Sequence, residues 1–211
     1  MAETRSTSRP RNNARRDRGE AILDAAIELA ADGGFDHVRQ REVAARANVA
    51  LGTLYKRFKS KEDLLAAAMA REAERLERKL EKHPARGTTI PARIAAFFAI
   101  ATRHTCKQPQ VAHAMIRAMA SGVPEIAAKV VSYQGRMTGL VIAAMRGRSR
   151  LHFVDAASAP PTEQEMTYAF MLLQLWFACL VGWSAGLSSQ AGIEEQMTRA
   201  AEVLAKGLAV T

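Results

Sequence analysis

A chain of 211 residues with 48% apolar and 24% charged side chains is long enough to bury a core and too apolar to remain disordered. Its two cysteines, Cys106 and Cys179, exclude a disulfide framework, and without a CxxC, HExxH or Cys/His cluster no metal and no cofactor is expected. A net charge of +9 points to an anionic partner, nucleic acid before a membrane surface.

Residues 1–14 read as a disordered basic arm of Ser, Thr, Asn, Pro and Arg, with no apolar stretch of the kind a secretory signal needs. The arginines there and just beyond (Arg9, Arg11, Arg15, Arg16, Arg18) suit either minor-groove and backbone contacts or a solvated tail. From Arg15 to Asp32, apolar residues at Ile22, Ala26, Leu29 and Ala30 follow helical spacing, and Gly33-Gly34 should end that helix. Phe35 and Val38 fall in a connector. A short second helix is expected over Gln40–Ala47 and a third over Leu51–Phe58. Ser60, with Asp63 three residues on, should cap a long fourth helix, Lys61–Lys82. Pro84, Gly87 and Pro91 break the pattern. Further helices are expected near 91–107, 110–121, 124–147, 162–187 and 192–208. With no alternating strand pattern, the fold class is all-α, about nine helices: a three-helix unit over 15–66, then a helical domain over 67–211 joined to it by the 61–82 helix.

Charge is concentrated in the first part. Residues 1–18 carry six Arg and two acids, 19–38 five acids and no Lys or Arg, and 39–61 seven bases and one acid. Two cationic blocks flanking an acidic one imply a binding face rather than a diffuse solubility charge.

The stretch Arg39–Phe58, RQREVAARANVALGTLYKRF, meets the steric demands of two helices joined by a tight turn. Ala44 is small enough for the helix crossing, and Asn48, four residues on, tolerates positive φ. Val43, Ala47, Val49 and Leu54 form the apolar seam, while Leu54 and Phe58 read as core. The spacing is that of a helix-turn-helix, whose second helix enters the major groove. Leu51 and Thr53 suit base edges and thymine methyls, and Gly52 permits close backbone approach. Gln40 suits a base edge and Arg41 a phosphate. Lys56, Arg57 and Lys61 read as phosphate contacts, Lys61 assisted by the start of the fourth helix.

The segment GTLYKRFKSKEDLL (Gly52–Leu65) resembles the signature of the TetR family of bacterial repressors, G-T-L-Y-x-Y-F-x-S-K-E-x-L. ILDAAIELAADGGFDHV (Ile22–Val38) is similar to the first helix and connector of that family, and the match runs over about 18–66 without a gap. Three positions depart from the pattern. Arg57 stands where an aromatic is usual, Ala50 replaces a common Ser or Thr, and Arg39 replaces a Thr that often contacts phosphate. Less reliance on hydroxyls and more on charge follows. The resemblance implies that Tyr55 reaches a phosphate or base, the alternative being a half-buried packing ring. It also implies a cytoplasmic homodimer on a near-palindromic operator, acting as a repressor released by a small hydrophobic effector. An architectural DNA-binding protein of the same fold, without a ligand or a closed apolar cavity, stays open as an alternative. No nucleophile–base pair, paired carboxylates or metal set points to an enzyme.

In the second half, Met166–Ile193 carries no charged side chain, and Met171–Trp183 is apolar nearly all round. That length would span a bilayer. Gln174, Gly182, Ser184 and Gly186 interrupt it, and no basic cluster flanks it, so a helix buried on two sides is expected and no membrane association. The resemblance implies that the last two helices pair with those of a partner, and Leu173, Phe177, Leu180, Trp183, Met197 and Leu204 are the expected dimer face. Phe97, Phe98, Met115, Met119, Met137, Val141 and Trp176 recur at helical spacing and suit an effector pocket, an ordinary core being the alternative. His104, Arg117 and Arg136 are candidates to orient a polar group. VALGTLYKRF, NVA at the turn and LQLWFACLVGW are similar to the actinobacterial steroid-catabolism branch of the family, which implies a coenzyme A thioester of a sterol or fatty acid as effector.

Overall fold

The computed structural model describes the backbone over residues 9–149 and 159–208, and side chains over 17–149 and 159–206. Nine α-helices and no strand are found among the described residues. They are α1 (Arg9–His37), α2 (Gln40–Arg46), α3 (Leu51–Arg57), α4 (Lys61–Lys82), α5 (Ile90–Thr105), α6 (Pro109–Met119), α7 (Ala127–Met145), α8 (Glu163–Ser184) and α9 (Gln190–Leu208), with a 3-10 turn at Pro124–Ile126 before α7.

Helix α1 begins at Arg9 rather than Arg15, so residues 9–14 of the expected arm are helical. Pro10, lacking an N–H, fits a first helical turn, where that donor would be unpaired in any case. Residues 1–8 of the arm, and the side chains of its arginines up to Arg16, lie outside the described residues. The helix kinks at Gly33-Gly34, where Gly34 adopts φ 69°, a region open to glycine at little cost. Ser60 caps α4 as expected: its Oγ accepts from the Asp63 N–H at 3.1 Å, and Asp63 Oδ2 accepts from the Lys59 N–H at 3.0 Å.

Two apolar cores result. The first packs Ile22, Ala26 and Leu29 of α1 against Val43, Leu54, Phe58, Leu64 and Leu65. Helix α6 belongs to this core as well, through Val111, Ala114, Met115 and Ala118. The break near residue 87 therefore divides the chain but not the packing: α6 lies chiefly against α1 and α4. The second core joins α5, α7, α8 and α9 around Phe97, Phe98, Ile142, Leu172, Trp176 and Met197. Inside it, the Trp176 indole N–H donates to Thr102 Oγ1 at 2.9 Å, so the buried hydroxyl and indole satisfy each other.

Helix α8 starts in a capping box between Thr162 and Glu165. Arg146 clamps that start, donating to Glu165 Oε2 at 2.6 Å and to the Ala159 and Pro160 carbonyls. The hydrogen bond from Arg146 holds the Glu165 carboxyl below the usual range against the opposing effect of burial. By length and composition α8 could cross a membrane. One of its faces, however, is built into the second core through Ala169, Leu172, Trp176, Cys179 and Leu180, while Met171, Leu175 and Val181 on another face remain exposed.

Candidate nucleic-acid interface and effector cavity

Helices α2 and α3 cross at Ala44, 3% exposed, and the turn between them passes through Asn48 at φ 51°. The Val49 N–H donates to the Ala44 carbonyl at 2.9 Å, closing the turn. Asn48 is the one non-glycine residue with positive φ among the described residues, at the position the sequence marks for it. Ala50 and Arg39 precede α3 and α2 without side-chain caps, in agreement with the absence of the usual hydroxyl at Ala50.

Burial divides α3 in two. Leu54 and Phe58 face inward, and Gly52, Thr53, Tyr55, Lys56 and Arg57 face outward, with Leu51 half-buried at the front. Tyr55 is 44% exposed, which leaves much of its side chain on the outer side of α3. Around Gly52 no heavy atom lies within 4 Å of where a Cβ would stand, and its φ is not positive. Nothing inside the protein requires a glycine there. Arg39 and Arg41 project from the start of α2, Arg39 with Glu42 3.5 Å away.

Two expected contacts are placed differently. Gln40 Nε2 donates to the Phe58 carbonyl at 3.3 Å, tying the start of α2 to the end of α3. In this arrangement the Gln40 amide is directed to the end of α3, and a base edge would compete for the same donor. Lys61 has its ammonium 4.0 Å above the Phe35 ring and 3.7 Å from Asp36. Arg117 of α6 covers the same ring at 4.2 Å and donates to Asp36 at 3.1 Å. The Arg117 hydrogen bond, with the nearby Lys61 charge, holds the Asp36 carboxyl below its ordinary value. Lys61 is thus engaged with the connector, where cation–π and ionic attraction compete with any phosphate.

The acidic block of α1 supplies internal counter-charges. Arg46 of α2 pairs with Asp32 at 3.0 Å and Glu28 at 3.8 Å. Arg71 of α4, 6% exposed, pairs with Glu20 at 3.1 Å and Asp24 at 2.8 Å. Gly19 carries a further role that the sequence reading missed. A Cβ there would stand 2.3 Å from Nη2 of Arg57, so the guanidinium at the unusual position lies across the bare surface of α1.

Between α6, α7 and α8 lies a cavity of about 130 Å³. Met119, Met137 and Trp176 line it, together with Tyr133, Phe170 and Phe177. Phe97, Phe98 and Val141 are instead sealed in the second core at 0% exposure, and Met115 packs with the DNA-binding core. Among the described residues no charged side chain lines the cavity; its polar groups come from Tyr133, Gln134, Thr138 and Gln174. Burial pushes the Tyr133 phenol far up, which keeps it a protonated donor.

The expected dimer face needs the same sorting. Leu173 and Phe177 line the cavity, and Leu180 and Met197 are core residues at 0% exposure. Trp183 packs edge-on against His113, with centroids 4.7 Å apart, and Leu204 is half-buried. The large apolar side chains left exposed on these helices, among the described residues, are Met166, Phe170, Met171, Leu175 and Val181 of α8 and Val203 of α9. A helix apolar all round gives no periodic signal to tell its outer face from its inner one.

The family model described as bacterial regulatory proteins of the tetR family matches residues 22–68, and one for the tetracyclin repressor-like C-terminal domain matches 87–204. The HTH-type transcriptional repressor KstR of Rhodococcus jostii (strain RHA1) is 33% identical over 193 residues, covering 92% of this chain and 85% of that protein. The crystal structure of a TetR transcriptional regulator from Rhodococcus sp. RHA1 superposes with a TM-score of 0.78 at 28% identity, over 90% of this chain and 97% of that one. Thermus thermophilus FadR, a TetR-family repressor solved in complex with lauroyl-CoA, shares the fold at a TM-score of 0.68 and 17% identity, over 90% and 94% of the two chains. With both its helix-turn-helix half and its helical half matched, this chain belongs to the TetR family of bacterial regulatory proteins.

Proposed function

We propose that this protein is a dimeric, cytoplasmic transcriptional repressor that leaves its operator when a neutral, apolar effector group enters the α6–α7–α8 cavity. One observation carries the reading: Met119 and Tyr133 line the cavity and also pack against the DNA-binding core. An occupant that displaces them acts directly on the packing that positions α1 and α4. Because the exposed side of α3 carries a hydroxyl, a phenol, two cations and a bare glycine, it suits a major groove. Two copies joined through the exposed faces of α8 and α9 would set two such helices about 34–36 Å apart, one DNA turn.

The cavity chemistry supports an effector class. A free carboxylate inside it would meet no charged partner and would lose its solvation. A thioester or ketone carbonyl needs only a donor, and Tyr133 or a glutamine amide can supply one. A coenzyme A thioester of a sterol-derived or fatty acyl group, its polar carrier left outside, suits the uncharged lining and the resemblance to KstR repressors, and the cavity of about 130 Å³ must widen to admit it. Presence of this cavity also favours a ligand-responsive regulator over an architectural protein without one.

Operator-bound protein is the material for the test. Acyl-coenzyme A thioesters, sterols and the matching free acids are titrated while DNA release and thermal stability are followed. A thioester or neutral sterol should release DNA and raise the melting temperature by mass action, while the free acid does neither. Met119→Trp, which fills the cavity, should abolish the response. Release by the free acid alone, or an undiminished response in Met119→Trp, overturns the assignment.

A further inference from the structure

Beneath the α5–α6 turn lies a second recess, of about 250 Å³, that shares no residue with the cavity above. Both halves of the molecule build it. Ile27 of α1 and Met69 of α4 face Val111 and Met115 of α6, giving it an apolar floor. Its rim is charged. Arg75 and Lys107 stand on it beside Glu72 and His104.

The two cations of the rim are not equally engaged. Glu72 already has two partners, with Arg75 Nη1 at 2.7 Å and His104 Nε2 at 3.3 Å. Burial pushes the Glu72 carboxyl up, but the His104 hydrogen bond and the Arg75 charge outweigh it and leave the group below its ordinary value. Arg75 is shared between Glu72 and Asp24, whose Oδ1 lies 3.8 Å from its Nη2, whereas Lys107, exposed at the edge, has no carboxylate within ion-pair distance among the described residues. A recess with an apolar floor and an exposed ammonium at its edge is the complement of an amphipathic anion. Its size, just under that of most drug-sized ligand sites, restricts the occupant to a small one.

We propose that this recess binds a small amphipathic carboxylate, an aliphatic or aromatic acid, with its ionised head at Lys107 and its apolar body between α1 and α6. The site is independent of the effector cavity, whose uncharged lining excludes such a ligand. Its occupant touches α1 and α4 of the DNA-binding half and α5 and α6 of the other, so it stabilises their mutual arrangement.

The test uses the full chain, octanoate and benzoate as probes, and n-octylamine as the charge-reversed control. One or both acids should give a saturable rise in melting temperature and a calorimetric binding isotherm, octanoate alone marking the aliphatic class and benzoate alone the aromatic. Octylamine should give neither. Lys107→Glu, a surface change, should weaken acid binding about tenfold or more, the loss expected for one charge-assisted contact. Met119→Trp should leave acid binding intact, which separates this site from the proposed effector cavity. No saturable binding of either acid, equal stabilisation by octylamine, undiminished binding in Lys107→Glu, or loss of binding in Met119→Trp overturns the proposal.

Discussion

Replacing Gly52 by alanine should make the protein more stable and a worse operator binder, and the two effects have separate sources. Gly52 is the second residue of α3, the space within 4 Å of where an added methyl would stand is empty, and its φ is ordinary. Inside the protein that methyl meets nothing, and the backbone loses less entropy on folding. The gain for Gly to Ala within a helix is about 0.5–1 kcal/mol, with the lower figure apt for a first turn. In a chain of this size that corresponds to a melting-temperature rise of about 1–4 °C. On the operator the same methyl would stand between the front of the recognition helix and the DNA surface. An inserted methyl in a tight interface costs about 1–3 kcal/mol, or about 5- to 150-fold in affinity. Thermal unfolding measures the first effect and fluorescence anisotropy on an operator fragment the second. A higher melting temperature with unchanged operator affinity would show that Gly52 does not approach DNA. A lower melting temperature would refute the account of why a glycine stands there.

Three other expectations follow from the geometry. Arg57→Ala should weaken binding to specific and random DNA alike and lower the slope of log affinity against log salt by about 1, and an unchanged slope in a salt titration removes Arg57 from the phosphate contacts. Asn48→Val forces a β-branched residue to φ 51°, so it should cost about 1–2 kcal/mol and lower the melting temperature by about 2–8 °C, whereas Asn48→Gly should be close to neutral. Val181→Glu places a charge on the exposed apolar face of α8 and should cost about 3 kcal/mol or more of association free energy, read as a shift from dimer to monomer in sedimentation with helical content retained. A dimer of undiminished stability would put the subunit interface elsewhere.

The parts of the fold legible in the sequence are those set by neighbours in sequence. The helix-turn-helix needs a small residue at 44, a tolerant one at 48 and a seam between, and these demands are met within a short stretch of chain. Ser60 and Asp63 likewise announce the start of α4. What the sequence hides is set by partners far along the chain. Nothing near Gln40 indicates that its amide is taken by the Phe58 carbonyl, and nothing near Lys61 shows that Asp36 and Phe35 lie beside it. The acidic run of α1 reads as a solvated face until Arg46 and Arg71 are found against it. On α8 the difficulty is different. Leu180 and Val181 are adjacent and equally apolar, yet one is sealed in the core and the other is exposed. Periodicity separates faces only when their chemistry differs. The cavity residues follow the same rule: Met119, Met137 and Trp176 are placed on its wall, whereas Phe97, Phe98 and Val141, of like chemistry, fall one layer behind.

Helix α6 has a consequence for how modular this protein can be. Val111, Ala114, Met115 and Ala118 complete the core that α1 to α4 begin, although the chain reaches them only after α5. A fragment ending near residue 84 would leave Ile27 and Met69 without the cover of Val111 and Met115, and should be sticky and poorly folded by itself. Chimaeras that exchange reading heads between relatives face the same constraint. A junction placed at the proline-rich break keeps the chain continuous but mates one parent's α1 to the other's α6. Grafts that carry the inward side of α6 along with the first four helices should retain both solubility and regulation. The exchangeable unit is discontinuous in sequence, and recombination at the obvious linker splits it.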